Sequence, residues 1–277
     1  MEQINRARTE ASPGGRLLTG KDEREVLEFA GEAGHILLEN GAEIFRVEET
    51  IKRICSHFNV CSEQLFVLSN GIFMTGNSES ATLYAKVLHI PVKAARLEKV
   101  IAVNQLSREI EAGRYTLPEA KERLREIREI APPPFWYQVA ASGIGSACFC
   151  FLFGGNALDS LSAFLAGFLL YGFILKISAR HLSKITSSIC GGFLATAVCA
   201  LCYSAGLGKN LDCMIIGGVI PLIPGIPFTN GIRDIANGDY ISGSVRLLDA
   251  ALSFLGIAIG VGAALAGYYF ILRKFSL

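Results

Sequence analysis

Three prolines at three-residue spacing, Pro221, Pro224 and Pro227, interrupt an apolar run that begins near Met214. Each lacks a backbone N–H and clashes with the carbonyl four residues back, which predicts a broken helix. Gly225 lies inside the break, and Thr229, Asn230, Arg233 and Asp234 follow it directly. In lipid, freed backbone groups are tolerated only where protein or a water-filled cavity satisfies them. A broken membrane helix with polar groups at its end is how transporters hold a hydrophilic solute. These residues are therefore candidates for a substrate pathway. The competing reading is a Pro-rich turn between two ordinary helices, with charges that merely mark the membrane surface.

Arg246 and Asp249 extend the set. They stand three apart near the start of the last apolar run, so they could pair on one helical face. Intramembrane charges are costly and tend to line pathways, whereas charges near a span's end can serve as interfacial anchors. Asp159 begins another apolar run and could equally be an N-terminal cap. A cationic pocket from Arg233 or Arg246 would suit any small carboxylate, amino acid or dicarboxylate alike.

No enzyme constellation accompanies these charges, and a non-enzyme is expected. His35, His57, His89 and His181 are scattered, with no H-E-x-x-H, G-x-S-x-G or Walker-type loop. Cys199-x-x-Cys202 lacks a second ligand pair, so neither a metal nor a cofactor is expected. Without an ATP site, transport would be driven by an ion gradient or be passive.

The elements that must position these residues follow from composition. Residues 1–134 hold 18 Lys+Arg and 20 Asp+Glu, against 8 and 5 in residues 135–277, and no Glu follows Glu129. Mean hydropathy is +0.40. This division predicts an α+β soluble domain followed by an all-α transmembrane bundle of about five helices. Net charge +1 gives no support for nucleic-acid binding. The polar N-terminus lacks the apolar core of a signal peptide, so the first domain is expected in the cytoplasm.

Residues 1–20 read as flexible and 21–131 as the α+β domain. A helix over Asp22–Glu39 should bury Val26, Phe29, Ala30, Ala33, Ile36 and Leu37. Asn40-Gly41 stops it. The next helix should bury Ile44, Val47, Ile51, Ile54, Cys55 and Phe58. Its other face carries Glu43, Arg46, Glu48, Glu49, Lys52 and Arg53, with Glu43–Arg46 and Glu49–Arg53 at pairing distance, a pattern expected of a wet surface. Strands are predicted over Gln64–Leu68, Gly71–Thr75 and Thr82–Ile90, with turns at Ser69-Asn70-Gly71 and Gly76-Asn77-Ser78. Helical periodicity returns over Ala94–Glu111, carried by Leu97, Val100, Ile101 and Ile110, and Thr116-x-x-Glu119 caps a last helix.

Pro132-Pro133-Pro134 makes a stiff linker over residues 132–134. Residues 135–277 then hold five candidate spans: Phe135–Phe153, Leu158–Ile177, Ile185–Leu207, the broken Leu211–Phe228, and Ser244–Leu272. Arg123, Arg125 and Arg128 before the first span, and Lys176, Arg180 and Lys184 after the second, place those loops in the cytoplasm. The C-terminus then falls outside, a placement that Arg273 and Lys274 oppose and that a re-entrant fourth segment would reverse. Gly256-x-x-x-Gly260 permits close helix approach, either inside this bundle or with a partner or a second copy.

Gly41-Ala42-Glu43-x-x-Arg46-Val47-Glu48, with Pro221-x-x-Pro224-Gly225-x-Pro227 and Asn230-Gly231-x-x-Asp234, resembles the threonine/serine exporter family. The resemblance runs over most of the chain from about Asp22. It implies an inner-membrane, multi-pass exporter coupled to the proton motive force, and it marks Gly41, Glu43, Arg46 and Glu48 as motif positions. The full-length form of that family carries two five-span halves, whereas this chain has one set. It therefore looks like the split form, in which a shorter membrane subunit supplies the other half. Such pairs are linked to dicarboxylate (succinate) export. A membrane scaffold or sensor whose front domain binds a ligand or partner is the alternative of another class.

Overall fold

The structure is a computed structural model that describes residues 20–60, 62–77, 83–90, 95–178 and 182–275. The expected flexible N-terminus and the turn following Asn77 lie outside these residues. The chain forms two compact units, and the division is not a single cut in sequence. One unit joins residues up to Ile130 with Ile226–Arg246, and the other joins Ala131–Gly225 with Leu247–Leu277.

In the first unit, α1 (Gly20–Glu39) and α2 (Ile44–His57) precede a hairpin and a third strand. All six residues expected on the α1 stripe are buried, as are Ile44, Val47, Ile51, Ile54 and Cys55 on α2. Between them the chain reverses in a Schellman turn: Ala42 N–H donates to Leu37 O (3.0 Å) and Gly41 N–H to Leu38 O (3.1 Å). Gly41 has φ +85°, and a Cβ there would lie 2.8 Å from Ala95 Cβ, so this position requires glycine.

Strands β1 (Ser62–Leu68), β2 (Gly71–Asn77) and β3 (Leu83–His89) form an antiparallel sheet in sequence order. Leu68 pairs with Gly71, so Ser69-Asn70 is the two-residue turn that the Asn-Gly signal predicts. Val67, Ile72 and Met74 face the core, whereas Phe66, Phe73 and Val87 line up across the strands on the exposed face. Helices α3 (Leu97–Glu111) and α4 (Leu117–Glu129) complete this part. Ile110 is buried as the periodicity suggests, but Leu97 and Ile101 are exposed, and Val103 and Leu106 fill the core in their place. Glu119 accepts from Thr116 N–H (2.8 Å) and from the Thr116 hydroxyl (2.7 Å), closing the N-terminus of α4.

The second unit contains α5 (Phe135–Leu152), α6 (Ala157–Phe173, continued as a π turn over Ile174–Ser178), α7 (Lys184–Ser204) and α8 (Leu211–Val219). A 3₁₀ turn, Ile220–Leu222, leads to α9 (Gly225–Ala236), and α10 (Tyr240–Phe275) is the last helix. Among the described residues, four helices are long and apolar enough to cross a membrane, or five if the bent pair α8–α9 counts as one. At 1.5 Å per residue, the 36 residues of α10 extend roughly 54 Å, well beyond a ~30 Å hydrocarbon layer.

Helix α8 packs against α5, α6 and α7. Close approach depends on its glycines: a Cβ at Gly217 would lie 2.7 Å from both Cys150 Cβ and Ser146 O. Gly256 and Gly260 face Ser188 and Ile189 of α7, so the small-residue pair is used inside the bundle.

Candidate functional site

The prolines break the chain over a shorter stretch than their spacing suggests. Pro221 sits in the 3₁₀ turn, Pro224 precedes α9, and Pro227 lies in the first turn of α9, where an N–H has no intrahelical acceptor anyway. Only Ile223 and Pro224 lie outside helical structure. The turn Ile220–Leu222 packs among α5, α6 and α7, with Leu222 against Gly191. Thr229, Asn230, Arg233 and Asp234 are therefore not loop groups. They ride on α9, a helix that folds with the first unit.

There Asn230, Arg233 and Asp234 meet the first sequence motif. Gly41 through Ile44 is the short link between α1 and α2, and its backbone groups point at α9 and the start of α10. The Asn230 amide donates to Gly41 O (2.8 Å), and Arg246 Nη2 donates to Ala42 O (2.9 Å). Arg233 pairs with Glu43. Ile44 N–H donates to Asp234 Oδ1 at 3.2 Å. Asp234 Oδ2 and Arg246 Nη1 complete the cluster as an ion pair at 3.0 Å, although neither atom makes a hydrogen bond among the described residues. The Asp234 side chain is 0% exposed and that of Arg246 11%.

Local chemistry explains the arrangement. Glu43 is the N-cap of α2 but makes no capping hydrogen bond, and the first N–H of that helix, like that of any helix, has no intrahelical acceptor. Asp234 supplies it from α9 and adds a negative charge at the positive end of the helix dipole. A buried carboxylate needs a partner, and Arg246 is that partner. Gly243 lets the first turn of α10 approach α9 closely enough, because a Cβ there would meet Gly231 O at 2.7 Å.

Several expected pairings are replaced by others. Glu43 pairs with Arg233 rather than Arg46, because its N-cap position points it away from the helix face. Arg46 pairs with Glu49 (3.4 Å), and Glu49 also holds Arg53 (2.8 Å) as expected. Arg246 and Asp249 do not pair with each other: Arg246 turns to Asp234, and Asp249 pairs with Lys184. Glu48 pairs with Lys52 (3.3 Å) and lines a shallow cleft of about 380 Å³ with Phe45, Arg53 and Glu111. Thr229 is exposed and bonds to Ile226 O (3.2 Å).

Sequence reading missed two features. The carbonyls of Gly41 and Ala42 carry no side-chain signal, so their part in the cluster is invisible before the fold is known. Asp159 is a hub rather than a simple cap: Asn156 caps α6, and Asp159 at its third position accepts from four donors. These are Asn156 N (2.9 Å), Lys209 N (2.6 Å), Asn210 N (3.0 Å) and Asn210 Nδ2 (3.0 Å). The carboxylate thus ties the loop before α6 to the loop before α8. No group of His, Cys, Asp and Glu among the described residues could hold a metal ion.

Among the described residues, the apolar helices of membrane-spanning length and the helix pair bent at a proline are those of a multi-pass membrane protein. The threonine/serine exporter family model matches residues 28–268, and the chain belongs to that family. A threonine/serine exporter of Corynebacterium glutamicum is 26% identical over 246 residues, covering 86% of this chain and 50% of that protein. "Probable succinate transporter subunit YjjP" of Escherichia coli strain K12 is 24% identical over 246 residues, covering 88% of this chain and 95% of that one. Pheromone-regulated membrane protein 10 of Pichia sorbitophila is 28% identical over 216 residues, 73% of this chain and 19% of its own length. The chain thus spans half of the Corynebacterium exporter and nearly all of the Escherichia subunit. No solved structure matches it.

Proposed function

We propose that this chain is one subunit of a secondary exporter that moves a small carboxylate-bearing metabolite out of the cell across the inner membrane. The observation that carries the reading is the match of the exporter family over residues 28–268, a range that includes both motifs, the bent pair and the spans. On this reading the path runs by the break, where Pro221, Pro224 and Gly225 interrupt a helix packed among its neighbours. Pro227, Thr229, Asn230, Arg233, Asp234, Arg246 and Asp249 line or position its continuation. The N-terminal domain, residues 21–131, lies in the cytoplasm, and the coupling is to the proton motive force. A second, shorter membrane subunit or a second copy completes the transporter.

Threonine and serine are the substrates suggested by the family. A dicarboxylate such as succinate is the second reading, supported by an alignment that covers 95% of a protein named as a succinate transporter subunit. Efflux of labelled threonine, serine and succinate, from cells expressing the chain with and without a second membrane subunit, tests both. Export of one substrate class, lost in Pro224→Ala with membrane insertion intact, is the expected result. Efflux of none of the three, under any pairing, would leave a membrane scaffold or sensor as the better description.

A further inference from the structure

The charges nominated for the solute are already engaged. Asp234 is wholly enclosed, with one oxygen on the Ile44 N–H and the other facing Arg246. Arg246 divides its guanidinium between Asp234 and the Ala42 carbonyl. Glu43, its side chain 19% exposed, is taken by Arg233, and Asn230 by the Gly41 carbonyl. A group that binds a passing solute needs an open side, and of these charged groups Arg233 alone, 59% exposed, has a largely open one.

What the cluster controls follows from connectivity. Helix α9 continues from α8 through Ile223 and Pro224, and α8 is seated in the helix bundle by Gly217. Helix α10 carries Arg246 near the end of its second turn and runs on without interruption to Phe275. Fixing Asp234 and Arg246 on the α1–α2 link therefore fixes the second arm of the bent pair and the first turns of the last helix together. Such a polar cluster favours one arrangement because any other leaves a buried charge without its partner.

We infer that Glu43, Arg233, Asp234 and Arg246 form a latch that positions α9 and the start of α10 on the α1–α2 link, and that export requires this latch closed. These are positioning residues, acting through the bent pair and not by touching the transported molecule. The inference rests on the exporter reading and makes the first unit an integral part of the transporter.

Charge exchange at the outer pair tests it, because Arg233 reaches the surface and tolerates reversal better than the buried pair. Hydrogen exchange of the purified full chain should accelerate about tenfold in both residues 41–50 and 226–240 in Glu43→Arg and in Arg233→Glu, and recover in the double exchange. Glu43→Gln and Arg233→Gln should give the same direction with less disturbance. In the efflux assay with labelled threonine, serine and succinate, the single variants should lose about tenfold in maximal rate with an unchanged half-saturating concentration, and the double exchange should restore the rate. Acceleration in one segment only, or full efflux from both single reversals, overturns the latch. A raised half-saturating concentration that the double exchange fails to restore also overturns it, in favour of direct solute contact. If the wild type moves none of the three solutes, the exporter reading fails while the exchange data still decide whether the latch exists.

Discussion

The Ile44 amide, first in its helix, donates to Asp234 Oδ1 at 3.2 Å across 190 residues of sequence. That bond joins two motifs that look independent along the chain: one launches α2, and the other lies on α9. Arg246 neutralises the same carboxylate at 3.0 Å and holds the adjacent Ala42 carbonyl, so one acid–base pair serves three segments.

Breaking this pair from one side should be costly. Arg246→Met leaves Asp234 buried without a counter-charge, and a loss of about 3–5 kcal/mol is expected for the first unit. The double variant Asp234→Leu/Arg246→Met should lose less than either single change, because no charge is stranded. Denaturant unfolding in detergent, compared across the three variants, measures the difference.

Gly217→Ala places a methyl group 2.7 Å from Cys150 Cβ and from a backbone carbonyl of the neighbouring helix. Overpacking of this kind costs about 1–3 kcal/mol, and the thermal unfolding midpoint should fall. Gly145 has open space around its would-be Cβ, so Gly145→Ala should leave the midpoint unchanged or slightly raised.

Asp159→Ala removes the acceptor for the backbone N–H groups of Asn156, Lys209 and Asn210 at once. A fully buried donor left unmatched costs about 1–3 kcal/mol, and the cost is smaller here because Lys209 and Asn210 are exposed residues. Amide exchange over residues 206–213 should become much faster, whereas Asp159→Asn, which keeps one acceptor oxygen, should have an intermediate effect.

The hydrogen bonds from Thr116 N–H, and next from its hydroxyl, hold the Glu119 carboxyl below its ordinary value of 4.5. A depressed carboxylate favours the folded form at neutral pH. This contribution is complete above the ordinary value and disappears as pH falls through the lowered one. The Thr116 amide resonance should follow that acid titration in the wild type. In Glu119→Gln the titration should vanish.

Deleting residues 1–130 removes the Gly41 and Ala42 carbonyls, the Ile44 amide and Glu43 together. Asp234 and Arg246 then lose partners that a separable front domain would not have supplied. The remaining spans should insert but export nothing, a result read from the same efflux assay. Unchanged export would make the front unit accessory.

Periodicity alone placed the first two helices of this chain, since the stripes Val26–Leu37 and Ile44–Cys55 are buried as read, and the Asn70-Gly71 signal placed the hairpin. Composition alone divided polar from apolar halves, and proline spacing located the break between α8 and α9. These are local effects, in which a residue's own backbone preference or its neighbours three and four positions away decide the outcome. Partner choice is not local. Glu43 had Arg46 at helical spacing and Arg246 had Asp249, yet each pairs with a residue that only folding brings near. The tertiary structure also turned Asn230, Arg233 and Asp234 from the tail of a break into one face of a helix, because Pro227 in a first turn continues a helix instead of ending it. Backbone carbonyls and amides complete the cluster, and since every residue carries them, no sequence pattern can point to the ones that Asn230, Asp234 and Arg246 select.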